Sequence, residues 1–161
     1  MEVTILIGIP ASGKSTFYKE RFVDSHVRLN LDMLKTRHRE KVLFRACLEA
    51  KQRVAIDNTN PAREDRARYI VPAKRYNFKV VGYYFHCTLE DCIRRNSKRS
   101  GSQRIPVPGI RGALRKMEIP SYSEGFDELY FVELDQEMKF RVTPFPRHEQ
   151  GGHLDDLKAG A

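Results

Sequence analysis

The stretch Gly8-Ile9-Pro10-Ala11-Ser12-Gly13-Lys14-Ser15 lies between the apolar run Val3–Ile7 and a helix-like segment from Lys14 to Phe22. That placement constrains the chain more than any other feature. An apolar run of strand length marks a strand covered on both faces, as in a parallel sheet. The spacing G-x-x-x-x-G-K-[ST] between such a strand and a helix curls the backbone so that successive N–H groups face one hollow. The helix N-terminus adds partial positive charge there. Lys14 is then expected on the β- and γ-phosphates of a nucleoside triphosphate, and the Ser15 hydroxyl on Mg²⁺. Gly8, Pro10, Ala11, Ser12, Gly13 and Thr16 complete the expected ATP-binding loop. A glycine-rich turn that binds nothing would not need that strand before it and helix after it.

The same alternation runs through the chain. Val27–Leu29, Arg53–Asp57, Phe78–Phe85 and Leu129–Leu134 read as strands, the last of these as the final one. Met33–Gln52 reads as helix in one or two pieces, and Leu89–Lys98 and Ile110–Met117 as two more. Pro61 suits the first helical position of a segment through Tyr76, and Pro106 and Pro108 are expected to keep their loop extended. Strands alternating with helices give β-α-β units, hence an α/β fold with a central parallel sheet and helices on both faces. Ligands of such sheets sit at the carboxyl ends of the strands. Residues 1–142 are expected to form one P-loop domain. From Thr143 to Ala161 the chain, with Pro144, Pro146 and a Gly-rich end, is expected to be a loosely ordered tail.

The chain has no Asn-Lys-x-Asp element to read guanine, and 161 residues are too few for most motor ATPases. A small phosphotransferase remains. Transfer to a hydroxyl needs a group that orients it and takes its proton, and a carboxylate serves. Two carboxylates follow strand ends. Asp57, beside the P-loop strand, suits Mg²⁺ directly or through water, or else caps the turn into Asn58-Thr59-Asn60. Asp32, in Leu29-Asn30-Leu31-Asp32-Met33-Leu34-Lys35, suits the acceptor side, and equally well reads as a plain helix N-cap.

Charge supplies the next clue. Lys and Arg total 29 against 21 Asp and Glu, a net charge of +8. Arg94, Arg95, Lys98, Arg99, Arg104, Arg111, Arg115 and Lys116 lie between Cys92 and Met117 with no acidic residue among them. Without those eight the chain is electrically balanced, so the surplus is one basic segment, and a basic segment attracts a polyanion. Arginines on a lid stabilise charge on a transferring phosphoryl group. The later basic residues suit the backbone of a nucleic acid. A solvated basic helix end is the plainer alternative. Ile105 is an apolar tip that either touches a base or packs under the lid.

Four blocks together make the chain recognisable: Gly8–Thr16, Leu29–Asp32, RVAIDNTNP at Arg53–Pro61 followed by Arg66-Ala67-Arg68-Tyr69, and RRNSKRSGSQRIP at Arg94–Pro106. From Val3 to about Phe131 it resembles the 5′-kinase domain of polynucleotide kinases, the third block being nearer the mammalian type and RNSKR nearer the phage type. The resemblance implies a P-loop kinase fold with a basic lid, and transfer of the γ-phosphate of ATP, with Mg²⁺, to the 5′-OH end of DNA or RNA. It makes Asp32 the general base and Arg99 the lid arginine on the donor phosphates, with Arg95 a second phosphate contact. Asp57, Asn58, Thr59 and Arg104 fall with Asp32 on the substrate side. Ile105 matches an apolar residue packed on the terminal base. Lys35 stands where the phage type has an arginine near the acceptor phosphate, and a lysine offers a point charge without the bidentate fork. Leu31 replaces an arginine common before the base. The alternative is a P-loop kinase of a nucleoside or other small hydroxyl compound.

The family often joins this domain to a phosphatase or ligase module. Neither fits in 161 residues, so a free-standing kinase or an excised domain is expected, working beside such end-repair enzymes. No apolar run reaches the ~18–20 residues that cross a bilayer, and MEVTILIGIP is too short and lacks the basic start of a signal peptide. Cys47, Cys87 and Cys92 lack metal-ligand spacing and read as unpaired, which fits a reducing, cytoplasmic compartment.

Overall fold

The β1 strand (Glu2–Ile7) buries Val3, Ile5 and Ile7 on one face of the sheet and Leu6 on the other. A strand apolar on both faces belongs in the middle of a sheet, and β1 lies between β3 (Val54–Asp57) and β4 (Lys79–Phe85). This is a computed structural model that describes residues 1–135 and 137–147. The six-stranded sheet has the order β2-β3-β1-β4-β5-β6, with β2 at Val27–Leu29, β5 at Glu128–Leu134 and β6 at Phe140–Pro144. All neighbours are parallel except β5 and β6. Register pairs Val3 with Val54 and Val80, so the carboxyl ends of β1, β3 and β4 open on the same side.

Helices cover both faces. Phe44 and Leu48 of α3 (Arg37–Glu49) and Tyr69, Ile70 and Ala73 of α4 (Arg63–Arg75) pack on the Val3–Ile5–Ile7 face. Phe17 and Tyr18 of α1 (Lys14–Arg21), with Phe22, pack on Leu6 and Ala55 opposite. Phe17 meets Phe22, Phe85 and Phe140 edge-on at 5.0–5.8 Å between ring centroids, the geometry aromatic quadrupoles prefer. A third apolar cluster joins Ile9 and Ala11 of the P-loop to Cys92 of α5 (Leu89–Ser97) and Ile110 of α6 (Val107–Arg115). The basic segment therefore folds as a helical hairpin packed against the loop. Among the described residues no helix is long and apolar enough to cross a membrane.

Several sequence expectations need correction. Of the readings for Met33–Gln52 the structure takes the two-piece one but moves the bounds: a short α2 (Leu31–Leu34) precedes α3, which ends at Glu49. The α4 helix starts at Arg63 and not at Pro61, whose carbonyl instead accepts from Glu118 N and the Arg66 guanidinium. Pro108 sits in the first turn of α6, where a missing N–H costs nothing, so the loop ends at Pro106. β5 is not the last strand. β6 pairs antiparallel with it, and Phe145 follows into the core with its N–H on Leu129 O at 2.8 Å. Pro144 closes that strand at the sheet edge, where proline is tolerated. Residues 143–145 thus belong to the sheet and core, and residues 148–161 of the expected tail lie outside the described residues. Cys87 and Cys92 are bonded to each other, with 6.3 Å between their Cα atoms, while Cys47 is free. Side chains in a helix lean toward its N-terminus, which turns Cys92 back toward the end of β4.

One buried cation ties the loop after β3 to the segment after α6. Arg66 is fully buried; its Nε and Nη2 donate to Glu124 at 2.6 and 2.8 Å, and its Nη1 donates to the carbonyls of Asn60, Pro61 and Glu118. Removing one partner strands the other charge without water. Arg66→Ala is expected to cost about 3–5 kcal/mol of unfolding free energy, read from the denaturant midpoint. A loss below about 1 kcal/mol, the range of exposed pairs, would show that the pair is not structurally decisive.

Candidate active site

The P-loop connects β1 to α1 and takes its shape from two glycines. A Cβ on Gly8 would lie 2.7 Å from Ser12 Oγ and 3.0 Å from Phe85 Cβ. Gly13 caps α1 at φ 103, and its Cβ would meet Leu134 Cδ1 at 2.8 Å. Lys14 is buried, and its ammonium donates to Gly8 O at 2.7 Å and Ile9 O at 2.8 Å. Burial lowers its pKa to about 8, against the pull of Asp57 and Asp32 and with the push of Arg99. Those four charges therefore share one electrostatic neighbourhood.

Ser15 Oγ donates to Asp57 Oδ2 at 2.9 Å. Arg28 of β2 donates to the same oxygen, from Nε at 2.9 Å and from Nη2. Asp57 therefore does more than cap a turn. It ends β3 beside the P-loop with its carboxylate neutralised by an arginine from the next strand. Mg²⁺ prefers oxygen donors and keeps several waters and phosphate oxygens. One hydroxyl and one carboxylate in contact are a donor set that fits it, with Ser15 and Asp57 the residues to hold it. Arg28 escaped the sequence reading. Its partner lies 29 residues away and is brought near only by the β2–β3 register.

At the start of α2 the helix cap is not Asp32. The N-cap is Asn30, whose Oδ1 accepts from Met33 N at 3.1 Å while its Nδ2 donates to Asp57 O at 2.5 Å. Asp32, one residue inside the helix, is exposed and accepts no hydrogen bond among the described residues. Asn58 holds the same turn from below: its Oδ1 accepts from Leu31 N at 2.9 Å, and its Nδ2 donates to the buried Glu40 at 2.6 Å. Glu40 also takes Arg37 Nη1 at 2.8 Å, and that nitrogen reaches Tyr69 Oη at 2.8 Å. Burial, followed by Glu40, pushes the Tyr69 phenol well above its usual pKa, so it stays a neutral partner.

These residues meet in one cleft of about 220 Å³. Lys14, Ser15 and Asp57 line it with Asp32, Asn58 and Thr59, and Arg99 and Ile105 reach it from the basic hairpin. Pro10, Ala11 and Gly13 complete the loop side. Arg99 also lines a groove of about 950 Å³ with Arg95, Gly13 and Thr16, so it stands where the two spaces join. Arg95 Nη1 donates to Cys87 Sγ at 3.4 Å. Two expected residues stand apart. Lys35 ends α2 at φ 69 and does not line the cleft; Arg37 does, with Nε and Nη2 unpaired among the described residues. Arg104 lines a neighbouring hollow and not the cleft.

Comparison with known proteins follows the same lines. Residues 3–118 match the family model described as AAA domain. The chain is 29% identical over 132 residues to the bifunctional polynucleotide phosphatase/kinase of Schizosaccharomyces pombe, an alignment covering 78% of this chain and 32% of that protein. The chain thus spans about a third of that relative's length. Among solved structures it is similar to a gluconokinase from Sinorhizobium meliloti, with a TM-score of 0.62, 16% identity, and 85% and 86% of the two chains covered. It is also similar to Chaetomium thermophilum Kti12 in complex with ADP-AlF3, with a TM-score of 0.63, 14% identity, and 84% and 92% covered.

Proposed function

Because the chain belongs to the AAA domain family, with 3–118 its matching residues, we propose that it is an ATP- and Mg²⁺-dependent kinase of the 5′-hydroxyl ends of DNA or RNA. The observation that carries this reading is the single cleft in which the P-loop, Asp32 and Arg99 converge beside the basic hairpin. The name of the Schizosaccharomyces pombe relative supports the acceptor class.

The P-loop amides and Lys14 hold the donor phosphates, and Arg99 offers a planar cation to the transferring group. Mg²⁺, held at Ser15 and Asp57, would neutralise charge on the donor phosphates. Asp32 orients the acceptor hydroxyl and takes its proton as that oxygen bonds to the γ-phosphorus. The bond to the β-phosphate bridging oxygen breaks, and ADP leaves. On this reading the cleft, of about 220 Å³, takes the strand's terminus while the strand runs outside it. Arg37, held by Glu40 and Tyr69, presents its free guanidinium edge to that terminus.

Label from γ-labelled ATP is expected on 5′-OH oligonucleotides, with a KM that rises steeply with salt. A folded protein that labels nucleosides but no oligonucleotide, with a salt-independent KM, would instead be a kinase of small hydroxyl compounds. One that labels neither would refute the reading.

A further inference from the structure

Asn96 is almost wholly buried on α5. Both ends of its amide go to one residue: Nδ2 donates to Ile105 O at 2.7 Å, and Oδ1 accepts from Ile105 N at 3.0 Å. Its backbone carbonyl accepts from Arg99 N at 3.0 Å. One residue thus grips the backbone of the two hairpin residues, Arg99 and Ile105, that line the cleft with Asp32 and Lys14. Between them the chain makes a single 3₁₀ turn at Gly101–Gln103, and Ser100, Gly101, Gln103 and Arg104 are exposed. The Ile105 side chain packs against the cluster of Ile9, Ala11, Cys92 and Ile110, and the amide holds its backbone. An apolar residue would fill the same space but leave a buried N–H and C=O unpaired, which is costly. An amide presents a donor and an acceptor side by side and so matches both.

On the reading of this cleft as a phosphotransfer site, we propose that Asn96 is a positioning residue that sets where Ile105 stands on the acceptor side of the cleft. The side-chain amide fixes where Ile105 stands, and so fixes the apolar surface that the hairpin offers to the acceptor's end in the cleft. The backbone carbonyl fixes where the Arg99 guanidinium starts. The two halves are separable, because truncating the side chain removes only the first.

The experiment is a double-mutant cycle of Asn96→Ala and Ile105→Ala, with KM for ATP, KM for a 5′-OH oligonucleotide and kcat measured for each protein. Asn96→Ala is expected to raise the oligonucleotide KM about tenfold, the scale of two lost hydrogen bonds. Its KM for ATP and its kcat should stay within about twofold of wild type. In the Ile105→Ala background the same change should be silent, since it acts through a side chain already removed. Hydrogen exchange at the Ile105 amide should speed up in Asn96→Ala. A general loosening of the hairpin would move the KM for ATP and kcat as well, because Arg99 follows three residues later; that result overturns the proposal, as do additive effects in the cycle. A wild-type protein that labels no acceptor overturns the functional reading first and this proposal with it.

Discussion

Asp32→Asn is expected to slow phosphoryl transfer about 10²–10⁴-fold, the usual contribution of a positioned general base, while leaving the fold and ATP binding intact. The separation of the two effects follows from the local structure. Asn30 caps α2, so Asp32 bonds no backbone N–H there. Its carboxylate is exposed and accepts no hydrogen bond among the described residues, so the amide that replaces it strands no buried partner. It acts on Lys14 through charge, raising that pKa against the larger effect of burial. Single-turnover transfer from γ-labelled ATP measures the chemistry, and a thermal midpoint within the scatter of surface substitutions, about 0.5 kcal/mol, confirms the fold. A variant that transfers at the wild-type rate would remove Asp32 from the mechanism. The proton would then have to go elsewhere, and among the cleft's lining residues Asp57, the other carboxylate, is already committed to Ser15 and Arg28.

What could be read beforehand was what is local. The P-loop, the order of its strand and helix, and β1 to β5 follow from apolar runs and turn residues that sit next to one another in the chain. That Asp32 does not cap α2 could not be read in this way. Whether Asn30 or Asp32 caps α2 depends on which side chain reaches Met33 N, and Asn30 is held there partly by Asp57, 27 residues away. Arg28, Glu40 and Arg37 were silent for the same reason, their partners being fixed by sheet register and helix packing. Lys35 matched by position, but the left-handed turn at φ 69 ends α2 there, and the cation that lines the cleft is Arg37. β6 was hidden because Pro144, at its end, and Pro146, just beyond it, read as loop signals, although an edge strand accommodates a proline at its end.

Replacing Lys14 by Met is expected to reduce transfer about 10²–10³-fold, the scale of one lost transition-state donor, and the pH behaviour of the wild type identifies the cause. Burial holds the folded-state pKa near 8 against the ordinary 10.5. Between those values the unfolded chain carries more protons than the folded one, so stability rises with pH across that window. A shift of that size corresponds to about 3 kcal/mol of linked stability, fully present above pH 10.5 and absent below pH 8. Lys14→Met has no such rise, which denaturant titrations at pH 7.5, 9 and 10 would detect. Nucleotide binding works in the opposite direction. A triphosphate against the ammonium favours its charged form, so binding at pH 9 must take up a proton, which calorimetry in buffers of different ionisation enthalpy measures. The kcat/KM for ATP, which reports the free enzyme, should therefore fall about tenfold per unit above pH 8, while kcat holds to higher pH. Equal decline of both would place the titrating group elsewhere. The buried ammonium is thus costly in the free protein and is relieved by the ligand, which ties nucleotide affinity and the stability of the loop to the same proton.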